Sequence, residues 1–215
     1  MTHFAVAGFE RHAVLRNTYA LLSLTLLWSA GAALFGTTLG FSLFGFIALI
    51  VLGFLALFAT LAFRNSGWGL VGIFAFTGIE GMSLGPVLQH YSHLANGPEI
   101  IALSAGLTGI IFLGLSGYVL TTKKDFSFLG GFLFSGLLAL ILLGLVAMFF
   151  PMPAMELAMA ALGVLIFSGY ILYDTSELLS GGETNYIVAT LHLYLDILNL
   201  FLDLLRLISA VESDD

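Results

Sequence analysis

Apolar residues along this chain gather in long runs separated by short, turn-forming connectors. A helix crossing the hydrocarbon core needs roughly 20 mostly apolar residues. Seven runs meet that requirement, at 18–38, 41–63, 68–88, 99–120, 128–150, 155–178 and 187–209. The connectors GTTLG, RNSG, QHYSHLANGP, TTKKDFS, PMPAM and SGGETNY are rich in Gly, Pro, Asn and Ser, which adopt turn geometries and break helices. All are too short to hold a soluble domain. The pattern predicts an all-α polytopic membrane protein, a seven-transmembrane-helix bundle forming a single domain over 1–215, with an N-terminal segment 1–17 and an acidic tail 210–215.

Composition agrees with that pattern. The 215 residues are 60% hydrophobic and 9% charged, with a mean hydropathy of +1.08, where soluble domains carry about 25% charged residues. Thirteen acidic residues against six basic ones give a net charge of −7, which excludes the basic footprint of a nucleic-acid binder. With no cysteine there is no disulfide framework, thiolate metal site or thiol nucleophile.

A cytoplasmic N-terminus puts Arg11, Arg16, Arg64, Lys123 and Lys124 on the cytoplasmic side and leaves the opposite loops free of Lys and Arg, as the positive-inside rule requires. Arg206 is the exception, near the far end of the last run, where it can snorkel or pair internally. Arg11 and Arg16 before the apolar stretch from Tyr19 to Trp28, followed by Ala30-Gly31-Ala32, imitate a cleavable signal peptide. Apolar character continues past Phe35, so the segment is read as a retained span.

Carboxylates inside these runs carry the candidate chemistry. An ionised group in a membrane-buried helix costs at least a few kcal/mol and is tolerated only beside a partner or a polar cavity. Asp174 lies in GYILYDT and Asp196 in LYLDILNLF, on runs joined by a short turn. At 1.5 Å per residue they lie roughly 8 Å and roughly 14 Å inside the cytoplasmic ends of helices six and seven, a difference that modest tilt can close. Arg64 belongs to the same level, and reads either as a positive-inside anchor or as an ion-pair partner. Helix seven carries His192, Asp196, Asn199, Asp203 and Arg206 at spacings of 4, 3, 4 and 3, one face expected to look inward. His192 reads as an interfacial polar residue, since no second His or Cys stands at ligand spacing, and His90 and His93 read as solvated connector residues. Glu80 is deeper, in TGIEGMSLGP, where Gly78, Gly81, Gly85 and Pro86 free backbone groups that need internal partners. Small-residue spacings at Gly81/Gly85, Gly106/Gly109/Gly114/Gly117 and Gly163/Ser168/Gly169 predict close helix approach.

GYILYDTSELLSGGETNYIVATLHLYLDILNLFLDLLRLI (169–208), together with FTGIEGMSLGP (76–86), resembles the Bax inhibitor-1 or transmembrane Bax inhibitor motif family, specifically its short bacterial members. The resemblance implies a seven-helix bundle with a central last helix, placed in the bacterial inner membrane. It also implies a pH-sensitive calcium leak governed by two hydrogen-bonded aspartates with an arginine counter-charge. By motif the aspartates fall on Asp174 and Asp196 and the arginine on Arg64. Two carboxylates in contact share a proton and titrate as a coupled pair. Calcium demands oxygen ligands, and Asp174, Asp196, Glu80 and Asp203 are the intramembrane carboxylates on offer, with His192 and Asn199 as further pathway candidates. No cofactor or enzymatic activity is expected, calcium being the transported ion. The alternative reading is a non-transporting modulator of a membrane-bound ATP-dependent protease, engaged through residues 1–17. An intramembrane aspartyl protease is disfavoured, because Leu193-Tyr194-Leu195 precedes Asp196 where a GxGD element would be needed.

Overall fold

A computed structural model describes residues 2–150 and 152–212, with side chains from residue 12 onward. Pro151, the Arg11 side chain and the last three residues of the acidic tail lie outside the described positions.

Seven helices long and apolar enough to cross a membrane are present among the described residues. They are α1 (Thr2–Thr37), α2 (Leu43–Ala62), α3 (Gly67–Ser92), α4 (Gly97–Thr122), α5 (Gly130–Phe149), α6 (Pro153–Ser180) and α7 (Tyr186–Glu212), with a single 3₁₀ turn, Ser127–Leu129, ahead of α5. Each coincides with a run expected from the sequence. The largest differences are that α1 begins at Thr2, and that α3 continues to Ser92, absorbing four residues of a connector. The 27 residues of α7 span about 40 Å, more than the ~30 Å hydrocarbon core. It is also the most deeply buried of the seven, whereas α5 is the least.

Packing divides the chain into two compact units. Unit one comprises α1, α2, α3 and the chain from Glu183 to Tyr194; unit two comprises α4, α5, α6 and α7 from Leu195 onward.

In unit one α3 packs along both α1 and α2. Glycine permits this at the level of the backbone. A Cβ on Gly36 would lie 2.5 Å from the Met82 carbonyl oxygen, one on Gly85 would overlap the Gly36 backbone, and one on Gly81 would overlap the Ser29 carbonyl oxygen. On the other flank, a Cβ on Gly72 would lie 3.0 Å from Thr60 Cα. The α1 segment that imitates a signal peptide is therefore an integral packing element of this unit. Some polar atoms of this unit pair across helices, since burial in an apolar medium without a partner costs several kcal/mol. Trp28 Nε1 donates to the Phe74 carbonyl at 2.9 Å. The Tyr194 hydroxyl shares a 2.7 Å hydrogen bond with Ser29 Oγ and donates to the Thr77 carbonyl at 3.3 Å.

In unit two α6 packs along both α4 and α5, and glycine serves a different purpose. A Cβ on Gly169 would lie 2.6 Å from Leu133 Cδ2, one on Gly130 3.0 Å from the Tyr173 ring, and one on Gly136 would overlap the tip of Ile166. These glycines receive side-chain tips. The expected close approach at Gly106, Gly109, Gly114 and Gly117 is not observed, for nothing lies within 4 Å of a Cβ at any of them. α4 packs instead through Ser104, Thr108, Phe112 and Ser116, a stripe at spacing four that leaves the glycines on the other side. Spacing alone does not tell which face of an apolar helix meets protein.

Candidate functional site

The site lies in unit two, where the C-terminal part of α6 meets α7. Asp174 stands six residues before the end of α6, which closes on Gly181 in the left-handed conformation (φ 85°) that glycine adopts without penalty. Asp174 is half-buried and Asp196, on α7, is only 5% exposed. Their side chains are hydrogen-bonded to each other. A bond between two carboxyl groups requires that one of them carry the proton as donor, because an ionised carboxylate only accepts. Asp196 Oδ2 is buried with no hydrogen-bond partner, a lone pair aimed at nothing in the protein, which an unpaired buried polar atom ordinarily avoids.

Neutral polar residues surround this pair. Tyr170, one turn before Asp174, is within electrostatic reach of both aspartates, and its ring meets Tyr173 edge-on at 6.5 Å. Thr175 shares a buried 3.0 Å hydrogen bond with Ser116 of α4. Ser176 Oγ accepts from the Phe126 N–H at 3.1 Å, tying the segment before α5 to α6. None of Tyr170, Ser116, Thr175 or Ser176 stood out in the sequence, because a neutral hydroxyl among apolar residues carries no strong cost to signal it.

Asp203 forms a second carboxyl position, about 10 Å further along α7. It is 7% exposed, and Gly163 of α6 clears the space that its carboxylate occupies. Arg206 Nη1 meets Asp203 Oδ1 at 3.3 Å, with the arginine about half exposed. The Gly163 signal was legible as close approach, but what approaches is a carboxylate and not a backbone.

The expectation that His192, Asp196, Asn199, Asp203 and Arg206 all face inward needs correction. Asp196 and Asp203 are buried, Asn199 is intermediate with its Nδ2 donating to the Leu195 carbonyl at 2.8 Å, and His192 and Arg206 are exposed. At about 100° per residue the five cover an arc of about 80°, with the two aspartates at one edge and the other three toward the opposite edge. The line straddles the boundary of the buried sector.

Glu80 belongs to unit one. It is half-buried, its Oε1 fills the notch left by Gly53 of α2 (2.9 Å from a Cβ there), and it lies within electrostatic reach of Tyr194 on α7. Arg64 also belongs to unit one. Its side chain is exposed in the turn after α2, and its carbonyl accepts from Asn185 Nδ2 at 3.0 Å. Among the described residues no three His, Cys, Asp or Glu side chains gather in a metal-holding group.

These features define a polytopic α-helical membrane protein whose last two helices bring the carboxyl groups of Asp174 and Asp196 into contact. The chain belongs to the Bax inhibitor-1 family: the model for inhibitors of apoptosis-promoting Bax1 matches residues 11–213. It is 46% identical over 210 residues to an uncharacterized membrane protein of Vibrio cholerae, covering 96% of this chain and 93% of the relative. It is 43% identical over 214 residues to the modulator of FtsH protease YccA of Escherichia coli strain K12, covering 99% and 97%. The likeness extends to protein lifeguard 4 of Mus musculus, 37% identical over 212 residues and covering 94% and 87%.

Proposed function

We propose that this chain is a single-domain, multi-pass protein of the bacterial inner membrane, N-terminus in the cytoplasm, that modulates a membrane-bound ATP-dependent protease. The observation that carries this reading is the 43% identity to the FtsH modulator of Escherichia coli over nearly the whole of both chains. Arg11 and Arg16 precede the first long apolar run, and by the positive-inside rule residues 1–10 are expected on the cytoplasmic side, where they can meet the protease. The test is reconstitution with FtsH protease, ATP and a membrane substrate. Co-purification and a changed rate of degradation are expected, both lost when residues 1–10 are removed. A degradation rate indifferent to the full-length chain would overturn the proposal.

A second reading is favoured by the site itself. A pH-sensitive calcium leak would use Asp174 and Asp196 as its titrating pair, with Arg64 as counter-charge and Glu80, Asn199, Asp203 and His192 along the pathway. Its support is the carboxyl contact and the unpartnered Asp196 Oδ2, since calcium takes oxygen ligands and would compete with the proton for them. Ionising both carboxyls breaks their hydrogen bond and sets like charges together in a poorly solvated site. Differential interaction of a few kcal/mol is enough to move a two-state population decisively. Calcium flux into liposomes containing only this chain, measured across pH, tests this. The leak should survive removal of residues 1–10, which separates it from the protease contact; absence of flux at every pH would dismiss it.

A further inference from the structure

At the start of α7, within unit one, a single amide side chain joins two elements. Asn185 Oδ1 accepts from the N–H groups of Ile187 at 3.0 Å and Val188 at 3.2 Å, capping α7 where helices leave their first N–H groups unpaired. Its Nδ2 donates to the Arg64 carbonyl at 3.0 Å and to Asn65 Oδ1 at 2.9 Å. Both halves of the amide are thereby used, and no other side chain of this size can accept from a helix terminus while donating twice to a loop. Asp would keep the cap but has no donors when ionised. A separate contact closes the same joint from the α3 side. A Cβ on Gly69 would lie 2.7 Å from the Phe63 carbonyl oxygen, 3.0 Å from Ile187 Cδ1 and 3.1 Å from Arg64 Cα, and Ile187 is fully buried.

We infer that Asn185 is a positioning residue that locks the Arg64-bearing end of α2 to the first turn of α7, so that these two segments move as one piece whenever the protein changes state. The clamp is built from neutral amides and main-chain groups, so its bonds do not titrate between pH 5 and 8. The consequence for mechanism is specific. The Arg64 backbone is held to the first turn of α7, so a displacement of α2 pivots about this joint instead of parting there. Only the flux consequence rests on the leak reading; the coupling itself does not.

The absence of cysteine in the chain lets an introduced pair report alone. Ala62, the last residue of α2, and Thr184 are exposed, and Ala62→Cys with Thr184→Cys, spin-labelled in lipid, gives the distance across the joint. One narrow distribution, the same at pH 5 and pH 8, is expected. Asn185→Asp, which keeps the cap and loses both donated bonds, should broaden it, and Asn65→Ala, which removes one acceptor, should do so less. In liposomes that show the leak, Asn185→Asp should also displace the pH profile of calcium flux. A distribution that changes with pH in the otherwise native chain, or one that Asn185→Asp leaves unaltered, would overturn the inference. Absence of flux with the distances as expected would discard the leak reading and leave the clamp standing.

Discussion

Glycine brings backbone against backbone in unit one, whereas in unit two the glycines that are approached receive side chains alone. In unit one Gly36 faces the Met82 carbonyl, Gly85 faces Gly36 and Gly81 faces the Ser29 carbonyl, while Gly53 and Gly78 take the Glu80 and Trp28 side chains. In unit two Gly130, Gly136, Gly163 and Gly169 admit the tips of Tyr173, Ile166, Asp203 and Leu133. Backbone against backbone has one arrangement, whereas a side-chain tip can leave its notch by a change of rotamer. The buried polar groups divide along the same line on α7. Its portion in unit one buries Thr190 and Tyr194, each satisfied by α1 or α3. Its portion in unit two buries Asp196 and Asp203, one with an oxygen left unpartnered.

The sharpest way to break this contrast is to add a methyl group on each side of it. Gly85→Ala places its Cβ against the Gly36 backbone, and overpacking of this kind costs about 1–3 kcal/mol. Gly106→Ala, which meets nothing within 4 Å, should be neutral or slightly stabilising through helix propensity. Thermal unfolding in detergent distinguishes them, and equal losses would refute the backbone-contact account of α1 and α3.

Tyr194→Phe is expected to cost about 1 kcal/mol, the usual worth of a lost buried hydrogen bond, and somewhat more if Ser29 is left unsatisfied. The same measurement on Ser29→Ala with Tyr194→Phe should show less than the sum of the two single changes, because they remove one shared bond.

In unit two, Gly163→Ala should be cheaper than Gly85→Ala, since the atoms it meets are the end of the Asp203 side chain. Its signature lies elsewhere. The displaced carboxylate should alter its 3.3 Å contact with Arg206, read as a changed environment of a labelled arginine guanidinium by NMR. Loss of stability as large as for Gly85→Ala would mean that α6 and α7 are also locked by backbone.

The smallest effect is expected outside the membrane. The Asp125 carboxylate accepts from the Ser127 N–H at 2.8 Å, and this bond holds its pKa below the ordinary carboxylate value. A depressed folded-state pKa contributes stability that is present above the unfolded value, near 4, and is lost as pH falls through the folded one. Asp125 is fully exposed, so Asp125→Asn should leave stability at neutral pH nearly unchanged. A large loss there would assign the linker a structural weight that its geometry does not show.

Much of this was legible in the sequence. Membrane helices announce themselves by length and apolarity, and all seven were placed, with ends displaced where polar residues such as His90 and Ser92 continue a helix. Asp174 and Asp196 were legible because a buried charge is costly enough to demand a reason. Asn185, Tyr194, Ser116 and Thr175 were not, since neutral polar groups are common in membrane helices and only their partners reveal their use. The glycines were legible as small residues, but the face each presents is fixed by packing. Gly85 and Gly106 therefore looked alike and are not.

The proposed leak turns on whether Asp174 and Asp196, in contact on α6 and α7, hold one shared proton. Infrared difference spectroscopy of the aspartate-labelled chain in lipid, titrated from pH 5 to 8, reads that proton directly. Coupled behaviour is expected: one protonated-carboxyl signal whose titration is altered alike by Asp174→Asn and by Asp196→Asn, because neither residue titrates independently of the other. A titration curve in either variant that overlays the native one would contradict the shared proton.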